Sequence, residues 1–524
     1  MSWFFRTSIL FLAGWLALAL PVAGAAAEAE LLLRGGTIYD GSGSEGRVGD
    51  VAIAGGKIVA VGRFEGKAAR VVDCQGLLVA PGFIDLHTHC DAVANNEKLR
   101  PNLNYLVQGC TTVVTGNCGG GAVDVADYFR KIDGQGAGTN VIHLVPHGSV
   151  RQKAMGGDNR APTGAELEKM KRLVDQGMRD GAWGMSTGLI YAPGMFAKTD
   201  ELAEVAKTVA EHRGIYVSHI RGEAADLLAS VREAIQIGRS AGLPVHISHF
   251  KAVGKANWGM VHQAAGLIDK ARASGQVVTA DQYPYIATST GIGPTLFPAT
   301  KVPGGMKDFA KRIQTDPAFK EQVGKLVRRQ MGEYSKLVIA SYKTCPEWAG
   351  RSLDEIARER KMDPVELAIE IQCKGGASVV KFCLSEDDVR YVMTIPWVAT
   401  GSDGSCLVPD PKTNPHPRSY GTFPRKIGFY AMREKVIPVA AAIRSASGLP
   451  ADILKLPGRG YLRPGCVADV VVLDPQQYID RATFDKPHQY ATGVRCVLLA
   501  GKAAIDDGRV TGQLLGRAIR HRGI

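Results

Sequence analysis

The sequence predicts an α/β fold, a (β/α)8 TIM barrel with a small β-sandwich domain built from both chain ends. Through the middle of the chain, short apolar segments alternate with helical segments, and eight of the apolar segments end in polar residues. Segments with strand character also occur near both chain ends. Alternating strands and helices are typical of a parallel barrel, in which the carboxyl ends of the strands meet on one face.

The eight predicted barrel strands are recognised by their polar ends. These ends are His87-Thr88-His89, Gly116-Asn117-Cys118, Pro146-His147-Gly148, Ser186-Thr187-Gly188, Ser218-His219, Ser248-His249, Asp281-Gln282-Tyr283 and Ser402-Asp403-Gly404. Helical segments separate them, and the segment that begins at Thr163 has Glu166 at the spacing of a capping box. We therefore predict a barrel domain over residues 81–455.

The remaining parts of the mature chain are predicted from their length and strand patterns. More than 100 residues separate the seventh strand end from the eighth, so we predict an insertion at about 294–350. An insertion at this face of a barrel lies over the mouth of the site as a lid. Strand patterns, including a hairpin around Gly55 and Gly56, assign residues 28–80 and 456–524 to the two parts of the β-sandwich domain.

The first 27 residues have the order of a secretory signal peptide. One arginine precedes an apolar stretch at residues 8–22, and small residues follow at 23–27. We predict cleavage near Ala25 to Ala27 and a secreted or periplasmic protein without a stable membrane span after signal removal. An uncleaved membrane anchor is the alternative, although the apolar stretch is short for a full span.

The composition excludes a disordered chain and gives little support to a nucleic-acid partner. Of the 524 residues, 45% are hydrophobic and 22% are charged, which is ordinary for a globular protein. The net charge of +12 is interpreted as a solvated surface, because no long Lys/Arg run or nucleic-acid motif is present. The ten cysteines are scattered and include no CxxC pair, so most are predicted to be small buried apolar residues, with Cys118 as the exception.

Six potential metal ligands lie at the predicted strand ends. They are His87, His89, Cys118, His219, His249 and Asp403. The first two are two residues apart on a strand, so their rings point to the same face. Each of the others is weak evidence alone, but the barrel brings them together, and imidazole, thiolate and carboxylate groups suit zinc. Six ligands exceed the four of one tetrahedral zinc, which leaves open a two-metal site bridged by Cys118.

The strand-end motifs resemble those of the N-acyl-D-amino-acid deacylase (D-aminoacylase) family of the amidohydrolase superfamily. The resemblance extends over essentially the whole mature chain. Its motifs are PGFIDLHTHCD at 81–91, GNCG at 116–119, STGLIYAPG at 186–194, SHIRGE at 218–223, ISHFK at 247–251, DQYPY at 281–285, SDG at 402–404 and HPRSYGTFPR at 416–425. Cys118 stands where related hydrolases have a carboxylated lysine.

The resemblance implies a metal-binding role for each candidate ligand. Cys118, His219 and His249 would hold one tightly bound Zn²⁺. His87 and His89, together with Asp403, would form a second and weaker metal position. Asp403 would also be the general acid/base for attack by a metal-activated hydroxide.

The resemblance also implies a substrate pocket. Arg418 would bind the substrate carboxylate, and Tyr191, Tyr283 and Ser289 would shape the pocket. From the residues alone, Arg418 is also suited to capping a helix or pairing with an internal acid, although its HPR context favours substrate binding. The tyrosines are also suited to an aromatic wall, and Ser289 to a turn.

The implied activity is zinc-dependent hydrolysis of N-acyl-D-amino acids to a carboxylate and a free D-amino acid. A dipeptidase specific for D-residues and a cyclic-amide hydrolase would use the same metal chemistry. A non-catalytic exported binding protein is the alternative of another class, and the presence of all six candidate ligands disfavours it. In each enzymatic alternative the partner is a small molecule.

Overall fold

The protein is described by a computed structural model over residues 28–522, together with Met1. The predicted signal peptide, apart from Met1, lies outside the described residues. The strands are β1 (Glu28–Ile38), β2 (Arg47–Ala54), β3 (Lys57–Gly62), β4 (Lys67–Asp73), β5 (Leu78–Pro81), β6 (Phe83–Asp85), β7 (Thr88–His89), β8 (Cys110–Thr115), β9 (Asn140–His143), β10 (Val145–Pro146), β11 (Gly184–Gly188), β12 (Ile215–His219), β13 (Val245–Ile247), β14 (Val278–Gln282), β15 (Ala287–Gly291), β16 (Lys336–Ser341), β17 (Ser378–Phe382), β18 (Val398–Thr400), β19 (Gly404–Ser405), β20 (Val470–Leu473), β21 (Val494–Leu499), β22 (Lys502–Asp506) and β23 (Arg509–Val510).

Most helices follow barrel strands or belong to the insertion. The α-helices are α1 (Leu103–Leu106), α2 (Val125–Gln135), α3 (His147–Met155), α4 (Gly164–Arg179), α5 (Thr199–Glu211), α6 (Leu227–Ala241), α7 (Met260–Ala273), α8 (Ile292–Leu296), α9 (Phe309–Thr315), α10 (Pro317–Met331), α11 (Leu353–Glu359), α12 (Pro364–Cys373), α13 (Glu386–Met393), α14 (Arg418–Pro424), α15 (Val439–Ala446) and α16 (Gly448–Leu454). A π-helix, Arg425–Arg433, continues α14. Within residues 28–522 no helix has both the length and the apolar character needed to cross a bilayer.

Parallel strands form the predicted barrel. Strand β8 pairs with β6 and β9, and β10, directly after β9, continues the order through β11, β12, β13 and β14 to β18. The seam closes where β19 pairs in parallel with β7. All eight predicted polar strand ends therefore lie at the carboxyl face of one barrel, and the predicted fold class is confirmed.

The two chain ends join in one sheet. Strands β1 to β5 and β20 to β23 form a nine-stranded sheet, and the two chain ends meet where β20 pairs antiparallel with β5. Strand β1 contacts three neighbours, because its first part pairs with β4, its last two residues pair with β5, and it pairs with β2 along its length. A separate apolar core fills this domain, drawn from both ends: Leu31, Leu33, Val51, Ile53, Val470, Val472, Cys496 and Leu498.

The insertion belongs to a larger structural unit than the predicted range of about 294–350. Strands β15, β16 and β17 form a separate antiparallel sheet, and α8 to α12 pack with it around their own core. This unit begins at Ala287 and extends to Phe382, because β15 and β17 pair with each other across the whole insertion. Its helices α9 and α10 are separated at Asp316, which caps α10, and Pro317 is the first residue of α10.

Candidate metal centre and active site

The predicted ligands lie together at the carboxyl face of the barrel. Cys118 follows β8, His219 ends β12, His249 follows β13, and Asp403 lies between β18 and β19. Each is less than a tenth exposed except Cys118, which is partly buried. Residues separated by up to 285 positions in the sequence are therefore neighbours, as the closed barrel requires.

The three residues predicted to hold the tightly bound metal face one another. The Sγ atom of Cys118 lies 3.6 Å from Nδ1 of His219, and that Nδ1 lies 2.8 Å from Nε2 of His249. Two donors of one tetrahedral zinc ion, with Zn–S about 2.3 Å and Zn–N about 2.0–2.1 Å, lie about 3.3–3.6 Å apart. The cysteine–histidine spacing matches this value, and the histidine pair is slightly closer.

The residues predicted for the second metal position adjoin the first set. Asp403 Oδ1 lies 3.0 Å from Nε2 of His89 and 3.4 Å from Nε2 of His87. The same Nε2 of His87 lies 3.4 Å from Sγ of Cys118. Donor atoms of His87, Cys118, His249 and Asp403 all lie within 4.8 Å of one another, so His87 connects the two predicted positions.

Three of these residues have an unusual backbone conformation. Cys118, His249 and Asp403 have φ angles of 53°, 38° and 51°, in the left-handed region that non-glycine residues rarely adopt. Hydrogen bonds stabilise two of them: the His249 N–H donates to Asp281 Oδ1 over 2.8 Å, and the Asp403 N–H donates to the His87 carbonyl over 2.7 Å. Such strain concentrates at functional sites, where it directs side chains inward.

Asp281 is a buried partner of the ligands to which sequence reasoning assigned no role. Its Oδ2 lies 3.3 Å from Nδ1 of His87 and 2.9 Å from Nε2 of His246. This contact leaves Nε2 of His87 facing Cys118. Burial alone would raise the pKa of Asp281, but His87 and His246 hold it well below its usual range. The acid in the DQYPY motif therefore orients the ring of a candidate ligand, and His246 hydrogen-bonds with this acid and with Thr279.

Glu223 and Lys251 form a second pair that sequence reasoning missed. Nδ1 of His249 lies 2.9 Å from Oε1 of Glu223 and 2.7 Å from Nζ of Lys251. Burial would raise the pKa of Glu223, but Lys251 and then His249 hold it far below its usual range. The only signal for this pair was the presence of both residues in quoted motifs, SHIRGE and ISHFK.

The charges of the site favour a cation. Burial alone would raise the pKa of the Cys118 thiol, but His87 and hydrogen bonds with His219 and His249 hold it well below its usual range. Burial would also raise the pKa of Asp403, which Arg418, His249 and His87 hold well below its ordinary value. Zinc in proteins is bound by thiolate, carboxylate and neutral imidazole groups, and this site provides all three.

Arg418 lies at the start of α14 and contacts the predicted general acid/base. Its Nη1 lies 2.7 Å from Asp403 Oδ2, and its Nη2 donates to the backbone carbonyl of Ser289 over 3.2 Å. One alternative for this arginine was pairing with an internal acid, and the structure shows that pairing with Asp403. A guanidinium has five N–H donors, so these two contacts leave donors for a substrate carboxylate.

The predicted pocket residues surround Arg418. Its guanidinium carbon lies 4.8 Å from the ring centre of Tyr283, whose hydroxyl is buried without a hydrogen-bond partner in the described structure. The Tyr191 hydroxyl lies 3.1 Å from Oγ1 of Thr290 on β15. Ser289 is a strand residue of β15, not a turn residue, and its contact with Arg418 is made by the backbone.

A cavity of about 710 Å³ opens beside these groups. It is lined by His89, Cys118 and Tyr191, together with the glycine-rich loops after β8 and β11 and the start of α3. A smaller cavity of about 330 Å³ lies where Glu223 approaches the insertion. Cavities of this size accommodate small molecules and are too small for a folded partner.

Gly188 permits the close packing that positions Cys118. A β-carbon at Gly188 would lie 2.1 Å from the carbonyl oxygen of Cys118. We expect Gly188→Ala to lower the free energy of unfolding by about 1–3 kcal/mol, the usual effect of overpacking, and to reduce bound metal. Urea unfolding with metal analysis measures both. Gly164→Ala is the control, since nothing lies within 4 Å of its added carbon; equal midpoints for the two variants would contradict this packing role.

Comparisons with known proteins agree with this geometry. The pattern of the amidohydrolase family matches residues 70–294 and 351–505. D-aminoacylase of Alcaligenes xylosoxydans xylosoxydans is 35% identical over 94% of this chain and 97% of its own length. N-acyl-D-aspartate deacylase of the same organism is 33% identical over 94% and 96%.

A solved structure extends the comparison to three dimensions. N-acyl-D-glutamate deacylase from Bordetella bronchiseptica, crystallised with zinc and a phosphonate inhibitor that mimics the tetrahedral intermediate, superimposes with a TM-score of 0.81. The two are 32% identical, and the match covers 94% of this chain and 100% of that one. The chain belongs to the amidohydrolase family and, within it, to the N-acyl-D-amino-acid deacylases.

Proposed function

We propose that this protein hydrolyses the amide bond of N-acyl-D-amino acids and releases a carboxylate and a free D-amino acid. The observation that supports this most is the mutual contact of Cys118, His219 and His249 at one barrel face, beside the Asp403–Arg418 pair. The relatives named above act on N-acylated D-amino acids, which supports the choice of stereochemistry.

The donor set fits zinc. Cys118, His219 and His249 would hold a tightly bound ion, and His87, His89 and Asp403 would hold a second, weaker one. A zinc ion bound there would lower the pKa of a water ligand to near 7 and would polarise the amide carbonyl.

Asp403 performs the proton transfers in this proposal. Its carboxylate, paired with Arg418 beside the proposed metal position, is the group that accepts the proton of the attacking water. It then returns the proton to the departing amine, which is a poor leaving group until it is protonated. His89, 3.0 Å away, holds the carboxylate toward the water.

Arg418 orients the substrate by pairing with its α-carboxylate. The guanidinium is held between Asp403 and the carbonyl of Ser289, with Tyr283 against its face. The planar guanidinium of arginine binds a carboxylate through two parallel hydrogen bonds, and the ammonium group of lysine cannot reproduce this geometry. The scissile amide is thereby placed near Asp403.

We expect Arg418→Lys to raise KM by about 10–100-fold, because a hydrogen bond to a charged group contributes about 1.5–3 kcal/mol. Steady-state kinetics on an N-acyl-D-amino acid measures the effect. Arg425→Lys is the matched control, because Arg425 begins the π-helix that follows α14 and pairs with Asp480 rather than with Asp403. An unchanged KM in Arg418→Lys would remove this arginine from substrate binding.

Asp281→Asn is expected to weaken metal binding by about 10–100-fold, the usual effect of removing a group that orients a ligand. The amide can still donate or accept, but it loses the charge that fixes the His87 ring at 3.3 Å. Competition with a chromogenic chelator measures the affinity independently of turnover. An affinity equal to that of the unchanged protein would show that Asp281 does not position the ligand.

A small substrate panel tests the proposed reaction. It contains N-acetyl-D-methionine, N-acetyl-D-glutamate, their L forms, dipeptides with a C-terminal D-residue, and a cyclic amide. We expect the two N-acetyl-D-amino acids to be hydrolysed and both L forms to remain intact. Faster hydrolysis of the dipeptides or the cyclic amide would move the assignment to one of those reactions, and preference for an L form would refute the stereochemical part.

We also propose that the chain is exported to the periplasm or the medium. The support is the order of charge, apolar stretch and small residues in the first 27 positions. Amino-terminal sequencing of protein recovered from a periplasmic fraction is expected to begin near residues 26–28. A mature chain that retains Met1 would contradict cleavage and favour an uncleaved anchor.

A further inference from the structure

Two cysteines outside the ligand set lie side by side at the barrel seam. Strand β7 pairs in parallel with β19, and His89 is opposite Ser405. Cys90 and Cys406 are the residues that directly follow these two strands, one position beyond the last pair, and both are free thiols in the structure. Paired strands lie about 4.8 Å apart, which falls within the Cα separation of about 4.4–6.8 Å that a disulfide requires.

The two thiols share one buried environment. Cys90 is 0% exposed and Cys406 is 3% exposed, and both belong to the main barrel core. Burial raises the pKa of the Cys90 thiol well above its usual value, and the neighbouring Cys406 thiol raises it further. The Sγ atom of Cys90 also lies 3.7 Å from Oδ1 of Asn102, and Thr88 and Tyr105 are further polar neighbours. Each thiol therefore has the other as a close neighbour in a closed space.

We propose that Cys90 and Cys406 are a disulfide-forming pair that covalently closes the seam of the barrel. The oxidant is a small-molecule or protein disulfide encountered during folding, before the pair is buried. One thiolate attacks that disulfide, forms a mixed disulfide and releases one thiol. The second thiolate then attacks the mixed disulfide, so the Cys90–Cys406 bond forms, a second thiol leaves, and two electrons pass to the oxidant.

The cross-link would stabilise a part of the barrel where the strand pairing is short. Strands β7 and β19 share only two paired residues, while β11 and β12 share five. Cys90 directly follows His89, and Cys406 lies three residues after Asp403, whose side chains are 3.0 Å apart. The bond thus joins the two segments that bring these groups together, and it leaves Cys118 as a free thiolate.

Peptide mapping tests the pair directly. The reduced, denatured chain is refolded with zinc and a mixture of reduced and oxidised glutathione, free thiols are alkylated, and the protein is cleaved before aspartate. Cleavage gives DLHTHC (85–90) and DGSCLVP (403–409), and places Cys74 in a different peptide. We expect these two peptides to be joined, with a mass lower by two hydrogen atoms than their sum. Alkylated Cys90 and Cys406 from correctly refolded, monodisperse protein would overturn the proposal.

Thermal unfolding of serine variants gives an independent readout. After oxidative refolding, Cys90→Ser, Cys406→Ser and the double variant are expected to share nearly one lowered midpoint, since either single change removes the whole cross-link. Reductant is expected to lower the midpoint of the unchanged protein and to leave the midpoints of the three variants where they were. Cys110→Ser, a buried cysteine on β8, is the control and is expected to keep the joined peptides. A midpoint of the unchanged protein that does not respond to reductant would refute the cross-link.

Discussion

Replacing Cys118 by alanine is expected to remove bound zinc and lower kcat/KM by more than about 10³-fold, because loss of a single oxyanion-stabilising donor already costs about 10²–10³. The thiolate lies 3.4 Å from His87 and 3.6 Å from His219, so its loss leaves these rings without their anionic partner. Zinc analysis by mass spectrometry and kinetics on an N-acyl-D-amino acid measure the two effects together.

The matched control for this variant is Cys110→Ala. Cys110 begins β8, the strand that Cys118 follows, and it is fully buried. It contacts no candidate ligand, so this change is expected to lower stability without removing zinc. Full zinc content and ordinary turnover in Cys118→Ala would show that the thiolate is not a ligand.

Replacing Asp403 by asparagine is expected to lower kcat by about 10²–10⁴-fold, the usual contribution of a general acid/base, while leaving the tightly bound zinc in place. Asparagine retains the shape of the side chain and a donor toward His89, but it cannot accept the proton of the attacking water. The three proposed ligands of that zinc, Cys118, His219 and His249, are all retained in this variant. Single-turnover kinetics and metal analysis separate the two predictions.

Asp410→Asn is the control for Asp403→Asn, because Asp410 lies exposed in the same loop after β19. It is expected to leave turnover unchanged. Undiminished turnover in Asp403→Asn would remove Asp403 from the mechanism and would favour a non-catalytic role for its contact with Arg418.

The meeting of the polar strand ends was predictable from sequence, because a parallel barrel places the carboxyl ends of all its strands on one face. Each ligand directly follows or ends an apolar segment of strand length, so His219 and His249 were placed together without any contact information. The same rule identifies the fold, since only closure of the seam by β7 and β19 brings Asp403 to His89. The fold class and the meeting of the ligands therefore depend on short-range patterns that are visible in the chain.

The partners of those ligands were not predictable in the same way. Asp281 and Glu223 are single acids in motifs, and nothing in their spacing shows which histidine each contacts. The pairing of Arg418 with Asp403 depends on where α14 lies relative to the barrel.

The limits of the inserted unit also depend on tertiary pairing. Strand β15 has the sequence ATSTG, which carries little apolar signal for a strand, and only its antiparallel pairing with β17 places both strands in the inserted unit. Sequence patterns give the elements, whereas long-range pairing decides which unit each element joins.

X-ray absorption at the zinc edge of the purified enzyme tests the central claim most directly. Our account predicts one sulfur atom at about 2.3 Å and nitrogen ligands at about 2.0–2.1 Å, supplied by Cys118, His219 and His249. A metal shell of nitrogen and oxygen without sulfur, in an enzyme that turns over N-acyl-D-amino acids, would contradict it.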